Sequence, residues 1–246
     1  MNVEFSKLQS LGNDFILIEI DSPEFFWSPS LIKKICDRRF GVGSDGLIFY
    51  RKVDSATYSM HFFNPDGSKA SFCGNGLRCL FFKTHAEKII TEVGVYTGFI
   101  EKNCVEILVP FPKHKGKYEL SIEGKAYSFD WIDSGVDHIL LPVLDLFDPT
   151  LKQIARKLRS HPFFEKGTNV NFISYQEDVK MRTYERGVED FTLACGSGAM
   201  ACFSSLNEKK KRIYFDKERF CDFEMEKDQI KMTASAEKVF SGTMDL

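Results

Sequence analysis

The tetrapeptide Cys-Gly-x-Gly occurs twice in this chain, as CGNG at Cys73 and CGSG at Cys195, and the copies stand 122 positions apart (195 − 73). The segments ahead of them match too. SPSLIKKICDRRF offers Ser28 as N-cap, Pro29 at the first helical position and apolar residues at helical spacing. DPTLKQIARKLRSH repeats the design with Asp148 and Pro149, and the two prolines are 120 positions apart (149 − 29). Each helix is followed by a glycine turn and a strand, GVGSDGLIFY and GTNVNFISY, then by the alternating segments YSMHFFN and VKMRTYE, which suit half-buried strands. A shared offset across helix, strands and motif predicts a duplicated domain. The remaining segments, EKNCVEILVP, EGKAYSFDWI, RIYFDK and QIKMTASA, read as strands, so the fold class is α+β. PFPKHKGK at 110–117 is a break suited to a domain crossing. The expected halves are 1–112, completed by strand from about 233–246, and 113–232, carrying Cys73 and Cys195 respectively.

After each motif cysteine the pattern turns helical, GNGLRCLFFKTHAEK and GSGAMACFSSLNEK. Each cysteine is therefore expected at a helix N-terminus, where unpaired amides and the helix dipole favour negative charge. Such a site lowers a thiol's pKa and can hold a carboxylate or phosphate. A single site fits a phosphate cradle or one nucleophile. Two sites facing each other place two thiols on opposite faces of one bound anion. That arrangement suits inversion of a carbon next to a carboxylate, with a base on one face and an acid on the other. The paired amides would stabilise the carbanion through its carboxylate.

Composition narrows the alternatives. The formal charge of −2, from 33 basic and 35 acidic residues, gives no nucleic-acid-binding surface. The run Lys209-Lys210-Lys211-Arg212 reads as the solvated end of a helix. MNVEFSKLQSLGNDF lacks the apolar core of a signal peptide, and no apolar stretch approaches the ~20 residues that span a bilayer, so a soluble cytoplasmic protein without membrane partners is expected. Seven scattered cysteines argue against a disulfide framework, and the absence of clustered Cys/His spacing argues against a metal site. Cys36, Cys79, Cys104, Cys202 and Cys221 lack the glycine context and read as packing residues.

Four segments, in order, carry a family resemblance: LGNDFILIE (11–19), FNPDGSKASFCGNGLRC (63–79), GTNVNF (167–172) and YERG…ACGSGA (184–199). Together they closely resemble diaminopimelate epimerase. The resemblance implies two pseudo-symmetric domains, each a barrel-like sheet wrapped around a central helix, and a cofactor-free mechanism using two cysteines. It implies interconversion of LL- and meso-diaminopimelate, for lysine and peptidoglycan synthesis, by a homodimer. Carried over by motif, Cys73 and Cys195 are the acid/base thiols, and Gly74, Asn75, Gly196 and Ser197 hold the reacting carboxylate. Asn13 orients that end of the substrate. Asn64, Asn169 and Arg186 grip the distal end, with Arg186 forked onto its carboxylate. Glu185 and His138 stand beside the reacting amino group.

Two departures touch specificity. The family commonly has Gly-Asn-Pro-His where this chain has Gly135-Val136-Asp137-His138, and VEDFTLA ahead of Cys195 is one residue longer than usual. They keep a rival open, a related racemase with another or broader substrate such as glutamate or histidine. A single-cysteine hydrolase or transferase, and a non-catalytic amino-acid-binding protein, are more distant alternatives.

Overall fold

The computed structural model describes residues 2–21, 27–70 and 72–245. They divide into two compact units, one running to Leu108 and resumed from Thr233, the other spanning Val109–Met232.

In the first unit β1 (Asn2–Ser10) and β2 (Asn13–Glu19) form a hairpin. Its two-residue turn puts Leu11 and Gly12 at φ 57° and 86°, the left-handed values a tight hairpin demands. Helix α1 (Pro29–Cys36) leads to β3 (Gly46–Lys52), parallel to β2. Strand β4 (Thr57–Phe63) returns antiparallel, and the short β5 (Lys69–Ala70) folds back on it. Then come helix α2 (Gly74–Thr84), β6 (Lys88–Thr91) parallel to β4, and the antiparallel β7 (Gly94–Glu101) and β8 (Cys104–Pro110).

The second unit repeats this wiring. Strands β9 (Lys113–Ile122), β10 (Lys125–Asp133) and β11 (Asp137–Pro142) are antiparallel neighbours. Helix α3 (Leu151–Arg159) leads to β12 (Asn169–Ser174), parallel to β11, followed by the antiparallel β13 (Val179–Glu185) and the short β14 (Asp190–Phe191). Helix α4 (Gly196–Ser205), β15 (Lys210–Tyr214) parallel to β13, β16 (Phe220–Glu226) and β17 (Gln229–Ser235) complete it. The last strand, β18 (Glu237–Asp245), belongs to the first unit and flanks β1 antiparallel, as β9 flanks β10. Internal duplication is thus written in the strand pairings as well as in the motifs.

The four helices of the described residues fall into two kinds. Helices α1 and α3 bury one stripe each, Ile32, Ile35 and Cys36 in α1 and Leu151, Ala155 and Leu158 in α3. In α2 every residue from Asn75 to Phe81 is buried, and in α4 every residue from Gly198 to Phe203. Burial on all sides marks a helix enclosed by the sheet rather than laid on it. The strand-rich α+β class and the central helices expected from the resemblance are therefore present.

Three local readings change. Helix α3 starts at Leu151, with Thr150 as its cap, instead of at Pro149. Asp148 Oδ1 accepts from the Thr150 amide and hydroxyl, which spends Asp148 on a turn ahead of the helix. Helix α2 stops at Thr84 because His85 turns left-handed, at φ 53°. The basic run is not a helix end: α4 has finished at Ser205, Asn207 turns at φ 51°, and Lys210 opens β15. There Arg212 forks onto Asp222 at 2.7 and 2.8 Å, and Lys211 reaches Glu208 at 3.0 Å. The run is a paired strand face.

Candidate active site

Cys73 and Cys195 are the N-cap residues of α2 and α4, both in extended backbone conformation. Each unit thus presents a thiol where a buried helix has its unpaired amides. The surroundings of the two thiols differ.

In the first unit Cys73 Sγ accepts from the Gly76 amide at 3.4 Å. The thiol borders a recess lined by Met60, Phe62, Phe72 and Leu77, with Glu92 on its wall. Asn75 and Asn13 meet side by side: Asn75 Nδ2 donates to Asn13 Oδ1 at 3.2 Å, and Asn13 Nδ2 donates to Asp45 Oδ2 at 2.8 Å. Asn75 Oδ1 in turn accepts from Arg78 Nη2. Arg78 is fully buried, its Nε donates to Ser10 Oγ at 3.0 Å, and its Nη1 has no partner among the described residues. A guanidinium buried behind the first turn of α2 adds to the dipole's preference for an anion at that end.

Asp45 ties this amide pair to an ionic cluster. Arg38 bridges Asp45 at 2.6 Å and Asp14 at 2.7 Å, and the buried Lys7 reaches Asp14 at 2.7 Å. Burial pushes the Asp14 carboxyl upward, but hydrogen bonds from Arg38 and Lys7 outweigh it and hold the group well below the usual carboxylate range. Asn64 lies in the turn after β4, where its Nδ2 donates to Ser68 Oγ at 3.0 Å. Nothing in its local bonding distinguishes it from a turn residue.

In the second unit Cys195 is 6% exposed and its sulfur lies 3.5 Å from Ser197 Oγ. Burial drives this thiol well above its ordinary pKa, and the adjacent Glu185 carboxylate pushes the same way, against weaker pulls from Ser197 and the Gly198 amide. Cys195 is therefore a protonated thiol at neutral pH. Glu185 is held by the Thr192 hydroxyl. His138 is fully buried behind Ser197, with Nε2 3.0 Å from Ser197 Oγ and Nδ1 3.1 Å from Asn171 Nδ2. Burial depresses its pKa to about 4, so it is a neutral imidazole at pH 7.

Asn169 braces backbone on both sides, its Nδ2 donating to the Asp137 carbonyl at 3.0 Å and its Oδ1 accepting from the Arg186 amide at 2.9 Å. Arg186 is exposed, with Nη1 on the Lys166 carbonyl at 2.8 Å. Val136 sits in the β10–β11 turn, 36% exposed. The segment ahead of Cys195 forms the β13–β14 hairpin, whose loop turns on Gly187 at φ 93° and Glu189 at φ 58°.

In the second unit the structure thus brings Cys195, Ser197, Glu185 and His138 together. In the first it joins Asn13 to Asn75 beside the Cys73 helix. Sequence reasoning missed Asn171, Thr183, Asp45 and Arg78. A signal for Asn171 was present: Asn169 and Asn171 alternate on one strand, placing two amides on one face of a segment that is buried throughout. Arg78 carried no such mark, because a basic residue on a helix ordinarily reads as solvated.

Gly198 also gains a reason. A Cβ there would run into Asn171 Oδ1 and come within 3.2 Å of Thr183 Oγ1 and 3.3 Å of His138 Cε1. Gly198→Ala should therefore destabilise the fold by about 1–3 kcal/mol through overpacking, read by urea unfolding. A loss under a few tenths of a kcal/mol would mean the buried amide can step aside.

The model of the diaminopimelate epimerase family matches residues 5–119 and 131–242. Diaminopimelate epimerase of Leptospira biflexa is 32% identical over 281 aligned positions, covering all of both chains. That of Aquifex aeolicus is 34% identical, covering 98% of each. Among solved structures, a probable proline racemase from Agrobacterium radiobacter superposes with a TM-score of 0.75 at 10% identity, covering 99% of this chain and 93% of its own. A hydroxyproline epimerase from Agrobacterium vitis gives 0.74 at 12%, covering 99% and 91%. These two likenesses concern the fold.

Proposed function

Because this chain belongs to the diaminopimelate epimerase family, we propose that it interconverts LL- and meso-diaminopimelate by proton transfer at the α-carbon, with Cys73 and Cys195 as the two acid/base groups. The observation that carries the reading is the pair of cysteine caps: each unit ends a strand-to-helix turn with a thiol on the N-terminus of an enclosed helix.

The chemistry follows from what an α-hydrogen requires. A thiolate takes the α-proton, and the C–H electron pair passes into the bond to the carboxylate carbon, leaving a planar centre with charge on the carboxylate oxygens. Amides of Gly74, Asn75, Gly196 and Ser197 stabilise that charge as donors aimed at where it develops. The other cysteine, a thiol, gives its proton to the opposite face, and the configuration inverts. One proton is taken and one given, so no electrons are lost and the thiol and thiolate exchange roles. Burial favours Cys195 as a thiol in the resting protein, which suits it as the acid in one direction; in the reverse direction the two cysteines exchange roles.

At the far end of the substrate, Asn64, Asn169 and Arg186 engage the distal amino acid. Asn13 orients the reacting end, and Glu185 and His138 lie beside its amino group. Small-molecule chemistry of this kind suits a cytoplasmic homodimer, a reading the family resemblance supports. One feature favours a broader substrate range. Val136 offers no hydrogen bond where relatives commonly carry an asparagine, which loosens the demand for a second amino-acid group.

Hydrogen exchange in deuterated water tests chemistry and substrate together. Purified protein incubated with LL-diaminopimelate should place one deuterium at the inverted α-carbon, read by mass spectrometry. Glutamate, histidine and proline in parallel should show little or none. Exchange into glutamate or histidine but not diaminopimelate would favour the racemase reading, and no exchange anywhere would remove both.

A further inference from the structure

We propose that Asn171, backed by Thr183, is a positioning residue for the Cys195 thiol: it locks the tautomer of His138 so that the Ser197 hydroxyl keeps its hydrogen free for the sulfur. The proposal rests on the reading of Cys195 as an acid/base group.

The neighbours of the Asn171 amide fix its orientation. Asn171 is fully buried, and its Nδ2 lies 2.9 Å from the Ile139 carbonyl while its Oδ1 lies 2.8 Å from Thr183 Oγ1. A carbonyl can only accept, so the Asn171 atom facing Ile139 must be the NH2. The second hydrogen of that NH2 is then directed at His138 Nδ1, 3.1 Å away. Nδ1 must therefore accept, and the proton of the neutral ring sits on Nε2. From Nε2 it is donated to Ser197 Oγ at 3.0 Å. Because Nε2 then donates, it cannot accept the Ser197 hydrogen, which is left free to donate to Cys195 Sγ 3.5 Å away.

Every bond in the chain runs in one direction: Thr183 to Asn171, Asn171 to His138, His138 to Ser197, Ser197 to Cys195. Successive bonds of this kind polarise one another, and burial strengthens each. The terminal donor steadies the sulfur when it becomes thiolate, after giving up its proton. Gly198 leaves room for the chain, since a Cβ at that position would strike Asn171 and crowd Thr183 and His138. The charged groups facing His138 are Asp137 and Arg186, which act in opposite senses on its charged form, and Glu185 faces Cys195.

Asn171→Asp tests the chain with almost no change in shape. A carboxylate opposite Nδ1 accepts where the amide donated, so the ring proton moves to Nδ1 and Nε2 becomes an acceptor. Ser197 then turns its hydrogen away from the sulfur. In full-length protein with 15N-labelled histidine, wild type should show His138 protonated on Nε2, assigned by the spectrum of His138→Gln. Asn171→Asp should show the ring protonated on Nδ1. Turnover should fall at least tenfold with KM within about twofold, and site-resolved alkylation of Cys195 should need a pH higher by about one unit. Thr183→Val, which removes one hydroxyl and keeps the tautomer, should cost about threefold in turnover.

If Asn171→Asp does not fold, the wild-type tautomer and Thr183→Val still decide. A wild-type ring protonated on Nδ1 overturns the proposal, as does a flipped tautomer with unchanged turnover and alkylation. Should no amino acid exchange hydrogen at all, the epimerase reading fails separately, because the tautomer and alkylation measurements need no substrate.

Discussion

Replacing Cys195 by alanine should abolish epimerisation, and replacing Cys73 should do the same. Inversion needs one group to take the proton and another to return it on the opposite face, so the two losses are equivalent and neither thiol can serve alone. A positioned acid or base contributes about 10²–10⁴-fold, and each variant should lose at least that much in turnover from either diastereomer. Cys195→Ser is the sharper form. A serine keeps the size and can still exchange hydrogen bonds with Ser197, but its proton is far less acidic than a thiol's, so activity should stay near the alanine level. Folding should survive in all three, because Cys195 lies at the tip of a helix and makes no disulfide. Interconversion of the two diastereomers, followed from each side by chiral chromatography, provides the check. If either alanine variant retains a tenth of wild-type turnover, the two-thiol mechanism is wrong.

The second large effect belongs to stability. Asp14→Asn should destabilise the first unit by about 3–5 kcal/mol, since it leaves a buried cation without its counter-charge. Lys7 is only 7% exposed in its side chain and is paired with Asp14, whereas Arg38 is 57% exposed and loses little when its partner goes. The effect is therefore a Lys7 effect. Trp27 stacks on Phe49 in the first unit and Trp131 lies in the second, so fluorescence in a Trp131→Phe background reports on the first unit.

The pH dependence has a definite sign. Asp14 is held below the ordinary carboxylate pKa of about 3.9. Its contribution is thus fully present above that value and disappears as pH falls through the lower folded value. The gap between wild type and Asp14→Asn should stay constant from pH 8 to about 5 and shrink below about 4. A penalty under 1 kcal/mol at pH 7 would show that Lys7 finds another partner, and a gap that does not narrow in acid would show that the loss does not come from the Asp14 charge.

These two predictions differ in how far the sequence leads to them. The thiols are legible because their signal is local. A cysteine followed by two glycines and a helical pattern carries its own geometry, and the second copy converts a weak motif into a repeat. The exposed Arg186 and the asparagines Asn13, Asn64, Asn75 and Asn169 followed from motif position alone. Asp14, Asp45 and Lys7 were not legible, although Asp14 sits next to Asn13 in LGNDF. Their meaning depends on β1, β2 and the loop before β3 converging on one spot, and pairing across such distances leaves no periodic trace in a sequence. The same holds for Asn171, whose strand was recognised while its hydrogen-bond partners were not.

The sequence by itself determined the duplication, the α+β class, the two capped helices and the chemistry a thiol can perform there. All of these rest on short-range rules: strand alternation, helix periodicity, cap preference and the glycine that follows a cap. Tertiary structure alone decided which hydrogen each polar group gives and which it receives. That is why His138, read from its motif position as a residue near the substrate's amino group, is found in the folded chain as a buried link between Asn171 and Ser197, a role its motif position did not reveal. Burial removes water as an alternative partner, and once water is gone the direction of every bond is set by the neighbours that folding brings together.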